Sequence, residues 1–262
     1  MRVIPIVLVG AAGRMGRAIR EGLPAHPGLA IKACVDRAEN PGEAAGVWRT
    51  TLDSVVERGD VVIEFSSPAA CREAAERCAA TGAALVSGTT GLGPEEEAAV
   101  RAAATQVAVV RAANFSLGIA ILRRALSAAL AALPAGWDVE IVERHHRNKV
   151  DSPSGTALAL AADVAAARGF GEDSVRIGRS GRTGVRGREE IGVSSVRGGG
   201  WVGDHEVLLA GESEWLELRH VAAERSTFAH GALAAARFAA AAPAGLHDMS
   251  HVAVGLAGFR DG

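Results

Sequence analysis

The chain has 262 residues, 48% of them apolar and 22% charged, with a formal net charge of −2. That length fits one or two soluble domains with a sizeable core. The near-neutral balance argues against a nucleic-acid partner, and no apolar run is long enough to span a membrane.

In chain order, short runs rich in Val, Ile and Ala at residues 3–9, 31–36, 61–65, 83–87 and 107–110 predict buried strands. Stretches at 14–23, 68–80 and 94–104 predict the helices between them. Pro94 followed by Glu95, Glu96 and Glu97 is a helix start, with proline in the first turn and acids at the positive dipole end. Alternating strands and helices imply a parallel sheet covered on both faces. A helix is predicted over 116–133, ended by Pro134. The pattern then changes: a strand at 138–143, a helix at 154–168, and a Gly/Arg-rich loop at 178–190. Strands at 191–197, 206–209 and 215–221 of a mixed or antiparallel sheet follow, then a final helix at 227–242. Cys34, Cys71 and Cys78 form no CxxC and read as buried small hydrophobes. The N-terminal apolar run is too short for a signal peptide, so a reducing cytoplasm is the expected compartment.

Gly10-Ala11-Ala12-Gly13-Arg14-Met15-Gly16 follows the first strand and opens the first helix. Such a turn lets backbone approach a pyrophosphate, and the helix N-terminus offers N–H groups and positive dipole. The spacing is G-x-x-G-x-x-G, which also suits a plain strand–helix turn. Two features favour a nucleotide: the turn lies in the first strand–helix unit, and Asp36 stands 20 residues after Gly16, placed to accept from ribose hydroxyls. Arg37 follows it and suits a 2′-phosphate or stacking on adenine, so NADH and NADPH both fit. Loops with Gly88, Thr89 and Thr90, and with Ala112, Ala113, Asn114 and Phe115, follow the fourth and fifth strands, where the ligand crevice of an open α/β sheet lies.

The densest polar cluster runs from Glu143 to Thr156 and contains His145, His146, Lys149 and Asp151. Adjacent histidines on a strand point to opposite faces, a poor metal site, and no other spacing supplies a metal set. Acid–base work by a histidine, an ammonium at Lys149, and an anion cradle at Ser154, Gly155 and Thr156 are the chemistry expected of the cluster. The same residues also fit a solvated basic loop capped by Ser154. Of the 28 basic residues only Lys32 and Lys149 are lysines, and the chain has no tyrosine, so no phenol is available as proton donor.

These runs resemble the 4-hydroxy-tetrahydrodipicolinate reductase (dihydrodipicolinate reductase) family, above all from Glu143 through Ala157. The likeness extends through Val196-Arg197-Gly198, Val202-Gly203-Asp204-His205 and the run from Arg225 to Ala232. It implies an α/β fold: a Rossmann-like parallel-sheet domain formed by 1–115 and completed by 226–262, and a smaller α/β substrate and oligomerisation domain with a mixed sheet at 116–225. It implies reduction by NADPH or NADH, with loss of water, of a small dicarboxylate heterocycle to tetrahydrodipicolinate in the diaminopimelate route to lysine, usually by a homotetramer. By resemblance His145 is the proton donor and acceptor and Lys149 a second donor. His146, Lys149, Ser154, Gly155 and Thr156 hold the substrate carboxylates. Gly10, Ala11, Ala12, Gly13, Arg14, Met15, Asp36, Arg37, Gly88, Thr89, Thr90, Ala112, Ala113, Asn114 and Phe115 touch the cofactor. The sequence departs from the pattern in a short 37–52 segment, in Asn148 and His230, and in His247 and His251 near the C-terminus. A related reductase of another cyclic imine or dicarboxylate, and a nucleotide-binding sensor without turnover, are the alternative readings.

Overall fold

A computed structural model describes residues 3–37 and 47–258; the middle of the 37–52 segment lies outside the described residues. The chain divides into two compact units, residues 1–117 with 226–262, and residues 118–225.

The first unit begins β1 (Ile4–Val9), α1 (Arg14–Gly22), β2 (Leu29–Val35), β3 (Val47–Arg49), β4 (Val61–Glu64), α2 (Pro68–Thr81), β5 (Ala84–Ser87), α3 (Pro94–Ala104) and β6 (Ala108–Arg111). Each helix has a local reason to start. Ser67 caps α2 by accepting from the Ala70 N–H, with Pro68 at its first position. Glu96 reaches back to accept from Gly93 N, at 2.8 Å, at the head of α3. Gly82, at φ +77°, ends α2 in the left-handed conformation.

The second unit carries α4 (Leu117–Ala132), β7 (Asp138–His145), α5 (Gly155–Arg168), β8 (Val175–Ile177), β9 (Ile191–Arg197), β10 (Gly203–Ala210) and β11 (Trp215–Ala222). The chain then completes the first unit with α6 (Ser226–Ala239), β12 (Gly245–His247) and α7 (Met249–Gly258).

The first sheet has strand order β12-β6-β5-β4-β1-β2-β3 and is parallel throughout. Strand order reverses between β1 and β4, so a crevice opens at the carboxyl ends of those strands. The second sheet, β11-β10-β7-β9-β8, is mixed: β10 runs antiparallel to β7 and β11, while β7, β9 and β8 are parallel. Its inner face packs Val139, Ile141, Ile191, Val193, Val207 and Leu209 against Leu122, Leu126, Leu160 and Val164 of α4 and α5. The two-residue alternation of β7 sets this arrangement, burying every second side chain.

The expected helix over 227–242 is not the last element, because β12 and α7 follow it. Three-residue strands such as β3, β8 and β12 carry no periodicity of their own; they form by pairing at sheet edges. Strand β7 also runs two residues past the predicted 143, because Arg144 and His145 pair with Val196 and Arg197 of β9. All three cysteines are free and buried. Lys32 bridges Glu57 (2.6 Å) and the buried Asp60 (2.9 Å). His230 meets His26 at 2.9 Å between ring nitrogens. In the C-terminal departure His247 packs edge-on against Phe238, and Asp248 accepts from the N–H groups of Ser250 and His251 at the head of α7. Among the described residues no helix is long and apolar enough to cross a membrane.

Candidate functional site

At the crevice of the first unit, Gly10 has φ +77° and a Cβ there would lie 2.6 Å from the Phe65 carbonyl oxygen. Only glycine fits both constraints. A Cβ on Gly16 would lie 2.3 Å from the Gly10 oxygen, so the helix packs directly on the turn. Gly13 is the N-cap of α1 and offers no side-chain bond, which leaves the first-turn N–H groups of Arg14, Met15 and Gly16 without a side-chain cap. Asp36 follows β2; its Oδ2 accepts from Ala12 N at 2.8 Å and its Oδ1 from Arg37 N at 2.8 Å. The carboxylate therefore staples the turn, and its remaining lone pairs stay open to hydroxyl donors. Arg37 is exposed beside it.

The loops after β4, β5 and β6 close on one another. Phe65 and Phe115 pack edge to face at 5.0 Å. A Cβ on Gly88 would overlap the Phe65 ring at 1.9 Å. Thr89 is buried and donates to Glu64 at 2.7 Å, while Thr90 is exposed. Ala112 N donates to Ser87 O at 3.3 Å, and Asn114 accepts from Ser116 N at 2.8 Å. Glu64 was not singled out in the sequence. Fully buried, it accepts from Ser66, Ser87 and Thr89 and so ties these loops together. An acid ending an apolar strand was the available signal. Glycine turn, uncapped helix start and strand-end acid fit the phosphates and ribose of a dinucleotide.

The second group lies in the second unit. His145 ends β7 on its buried face, and Glu143, two residues earlier, shares that face. His145 Nδ1 stands 2.6 Å from Glu143 Oε2. Arg197 of β9 grips the same carboxylate with two bonds of 2.7 Å, and Ser154 N donates to it at 3.0 Å. Burial alone would raise the Glu143 pKa, but these donors, Arg197 foremost, outweigh it and hold the group at about 2. Burial lowers the pKa of His145 against the opposing pull of Glu143. His205 lies edge-on to His145 at 5.1 Å, and burial lowers it to about 4. Its Nε2 stands 3.0 Å from Ser154 Oγ, which also caps α5 by accepting from Ala157 N.

His146 has a different setting: its N–H donates to Trp201 O at 2.8 Å and its Nε2 lies 3.3 Å from Arg225. Lys149 places Nζ 2.8 Å from both Asp151 oxygens. Gly155 and Thr156 begin α5, where first-turn N–H groups point out of the helix end. The arrangement holds a histidine with a fixed Nδ1 partner, an ammonium and a helix N-terminus within one short stretch of chain. That combination suits proton transfer to a bound anion. Arg197 and His205 went unassigned in the sequence, since nothing local marks a strand residue 54 positions from its carboxylate partner.

Comparison with known proteins decides the family. The sequence model for the N-terminus of dihydrodipicolinate reductase matches residues 4–115, and that for its C-terminus matches residues 118–253. The chain belongs to the dihydrodipicolinate reductase family. It is 42% identical to a 4-hydroxy-tetrahydrodipicolinate reductase of Nitrosomonas eutropha, over 96% of this chain and 98% of that one. It is 44% identical to the enzyme of the same name from Caulobacter vibrioides, over 95% and 96% of the two chains. Its fold is like that of a dipicolinate-bound dihydrodipicolinate reductase from Paenisporosarcina sp. TG-14, with a TM-score of 0.78 at 23% identity, covering 94% of this chain and 97% of that one. The family is one of NAD(P)H-dependent oxidoreductases, and the glycine turn and Asp36 of this chain fit that cofactor.

Proposed function

We propose that this chain is a 4-hydroxy-tetrahydrodipicolinate reductase, converting its substrate with NAD(P)H and a proton to tetrahydrodipicolinate, NAD(P)+ and water. The observation that carries the reading is the junction of His145 and the start of α5 on one buried carboxylate, Glu143. A proton-transfer group and an anion cradle belong together in an enzyme acting on a ring dicarboxylate.

In the first unit Gly10, Ala11, Ala12, Gly13, Arg14 and Met15 would hold the pyrophosphate. Asp36 would accept from the adenosine ribose, and Arg37 would meet a 2′-phosphate where one is present. Gly88, Thr89, Thr90 and the loop from Ala112 to Phe115 would border the nicotinamide end. When bound, the reduced nicotinamide would supply a hydride to the ring carbon from which the 4-hydroxyl leaves as water. The chain's own residues supply the rest. His146, Lys149, Ser154, Gly155 and Thr156 seat the substrate carboxylates by charge and by N–H and O–H donors. His145 gives and takes the proton through Nε2, since Nδ1 faces Glu143, and Lys149 serves as second donor.

The outer face of the second sheet supports assembly into a homotetramer. It exposes Val196, Trp215 and Val221 around a network in which Asp204 accepts from Arg144 and Arg219. Light scattering on the purified protein reads that state directly. Cytoplasmic residence fits the three free cysteines and the biosynthetic role.

The deciding experiment follows the near-ultraviolet absorbance of NADH and of NADPH with enzymatically generated 4-hydroxy-tetrahydrodipicolinate. Substrate-dependent oxidation of either is expected. Binding of both without consumption of either refutes the enzymatic reading.

A further inference from the structure

We propose that Glu143 is a positioning residue that orients His145 and the start of α5 as one rigid piece. The inference rests on the reading of His145 as the proton-transfer group and Ser154–Thr156 as the cradle. Three elements converge on this single carboxylate: His145 on β7 at 2.6 Å, Arg197 on β9 through two 2.7 Å bonds, and Ser154 N at the head of α5 at 3.0 Å. Glu143 has no exposed surface, so water does not compete for these bonds.

The chemistry follows from what a carboxylate does. It only accepts, so His145 must carry its proton on Nδ1 whenever the ring is neutral. The lone pair then sits on Nε2. That atom lies 3.4 Å from where a Cβ of residue 203 would stand, and Gly203 has none. The bare backbone there puts no side chain against the working nitrogen. The charged and titratable groups around His145 are Glu143 on its own strand, Arg197 on β9, His205 on β10 and Lys149 in the following loop. Glu143 is the anion among these four. Without it, the ring faces two cations and a neutral imidazole.

Glu143→Gln keeps the shape and removes the charge. Its amide has one accepting oxygen where four bonds converged, so one N–H of Arg197 and either His145 or Ser154 N are left facing an NH2. A fall in kcat of about 10²-fold is expected from the misplaced ring. The limb of the pH–kcat profile that His145→Gln abolishes should move about one to two pH units lower, because the anion supporting the imidazolium is gone. NADPH affinity, read by fluorescence, should stay at the wild-type level. Nitrogen-15 spectra of the histidines, with the His145 signal assigned by its loss in His145→Gln, should show an Nδ1–H tautomer in the wild type and a mixture in Glu143→Gln. Glu143→Asp retains the charge one methylene further back; lower kcat with the wild-type pH limb is expected. A wild-type tautomer and pH limb in Glu143→Gln, or wild-type kcat in Glu143→Asp, overturns the proposal. Full turnover in His145→Gln would instead overturn the catalytic reading, and the tautomer measurement would still judge the role of Glu143.

Discussion

Replacing Arg197 by methionine removes the main counter-charge of a buried carboxylate while keeping an apolar stem of similar reach. Arg197 gives Glu143 two bonds of 2.7 Å, and Glu143 is fully buried. In the wild type Glu143 is held at about 2 against an ordinary 4.5. At about 1.4 kcal/mol per unit, that displacement corresponds to about 3.5 kcal/mol. Arg197 shares the work with His145 and Ser154 N and is itself partly exposed, so screening brings its own share to about 2 kcal/mol. In a chain of this size that lowers Tm by about 4–8 °C. The pH dependence has a definite sign. A carboxylate depressed in the folded state stabilises fully above its unfolded pKa, near 4.5, and that stability is lost as pH falls through about 2. In Arg197→Met the acid takes up its proton at higher pH, so the gap to wild type is widest near neutrality and narrows below about pH 4.5. Circular-dichroism melts of both proteins from about pH 7.5 down to about pH 3.5 read this directly. Equal Tm values at neutral pH, or a gap that does not change down to the lowest pH, would refute the reasoning.

Lys149→Arg keeps the cation but exchanges a compact ammonium for a planar fork that stays protonated. It should lower kcat by about tenfold or more with NADPH affinity unchanged, and steady-state kinetics with fluorescence titration check this. Gly16→Ala puts a methyl 2.3 Å from the Gly10 oxygen, which pushes α1 off the turn. NADPH binding should weaken about tenfold or more by calorimetry, and unaltered affinity would count against the turn as a phosphate site. Ser154→Ala deletes the cap that accepts from Ala157 N at 3.2 Å. It should cost about 1 kcal/mol of stability in a urea titration and raise KM more than it lowers kcat.

Much of the architecture is legible in the sequence because the signals are local. The apolar run of β1, the glycine turn and Asp36 declare a strand–turn–helix unit within the first 36 residues. Ser67-Pro68 and Pro94 with its three acids mark helix starts by capping and dipole chemistry. The cluster from His145 to Thr156 is contiguous, so its chemistry is visible before any fold is known. Lys32 shows the other case. Its place in the sequence gives it no role, yet in the fold it pairs with the buried Asp60, 28 residues away.

By itself the sequence determined the longer strands and helices and which stretch carries the reactive groups, because backbone preference and side-chain chemistry travel with the residues. Only the tertiary structure decided that Glu143, rather than Asp151, takes the Nδ1 side of His145, and that Asp151 goes to Lys149. It alone brought Arg197 to Glu143, through the parallel register that sets Glu143 beside Ser195 and His145 beside Arg197. The physical reason is that a buried charge takes its partners from the strands and helix ends packed around it. Those neighbours are set by strand register, which no short window of sequence contains.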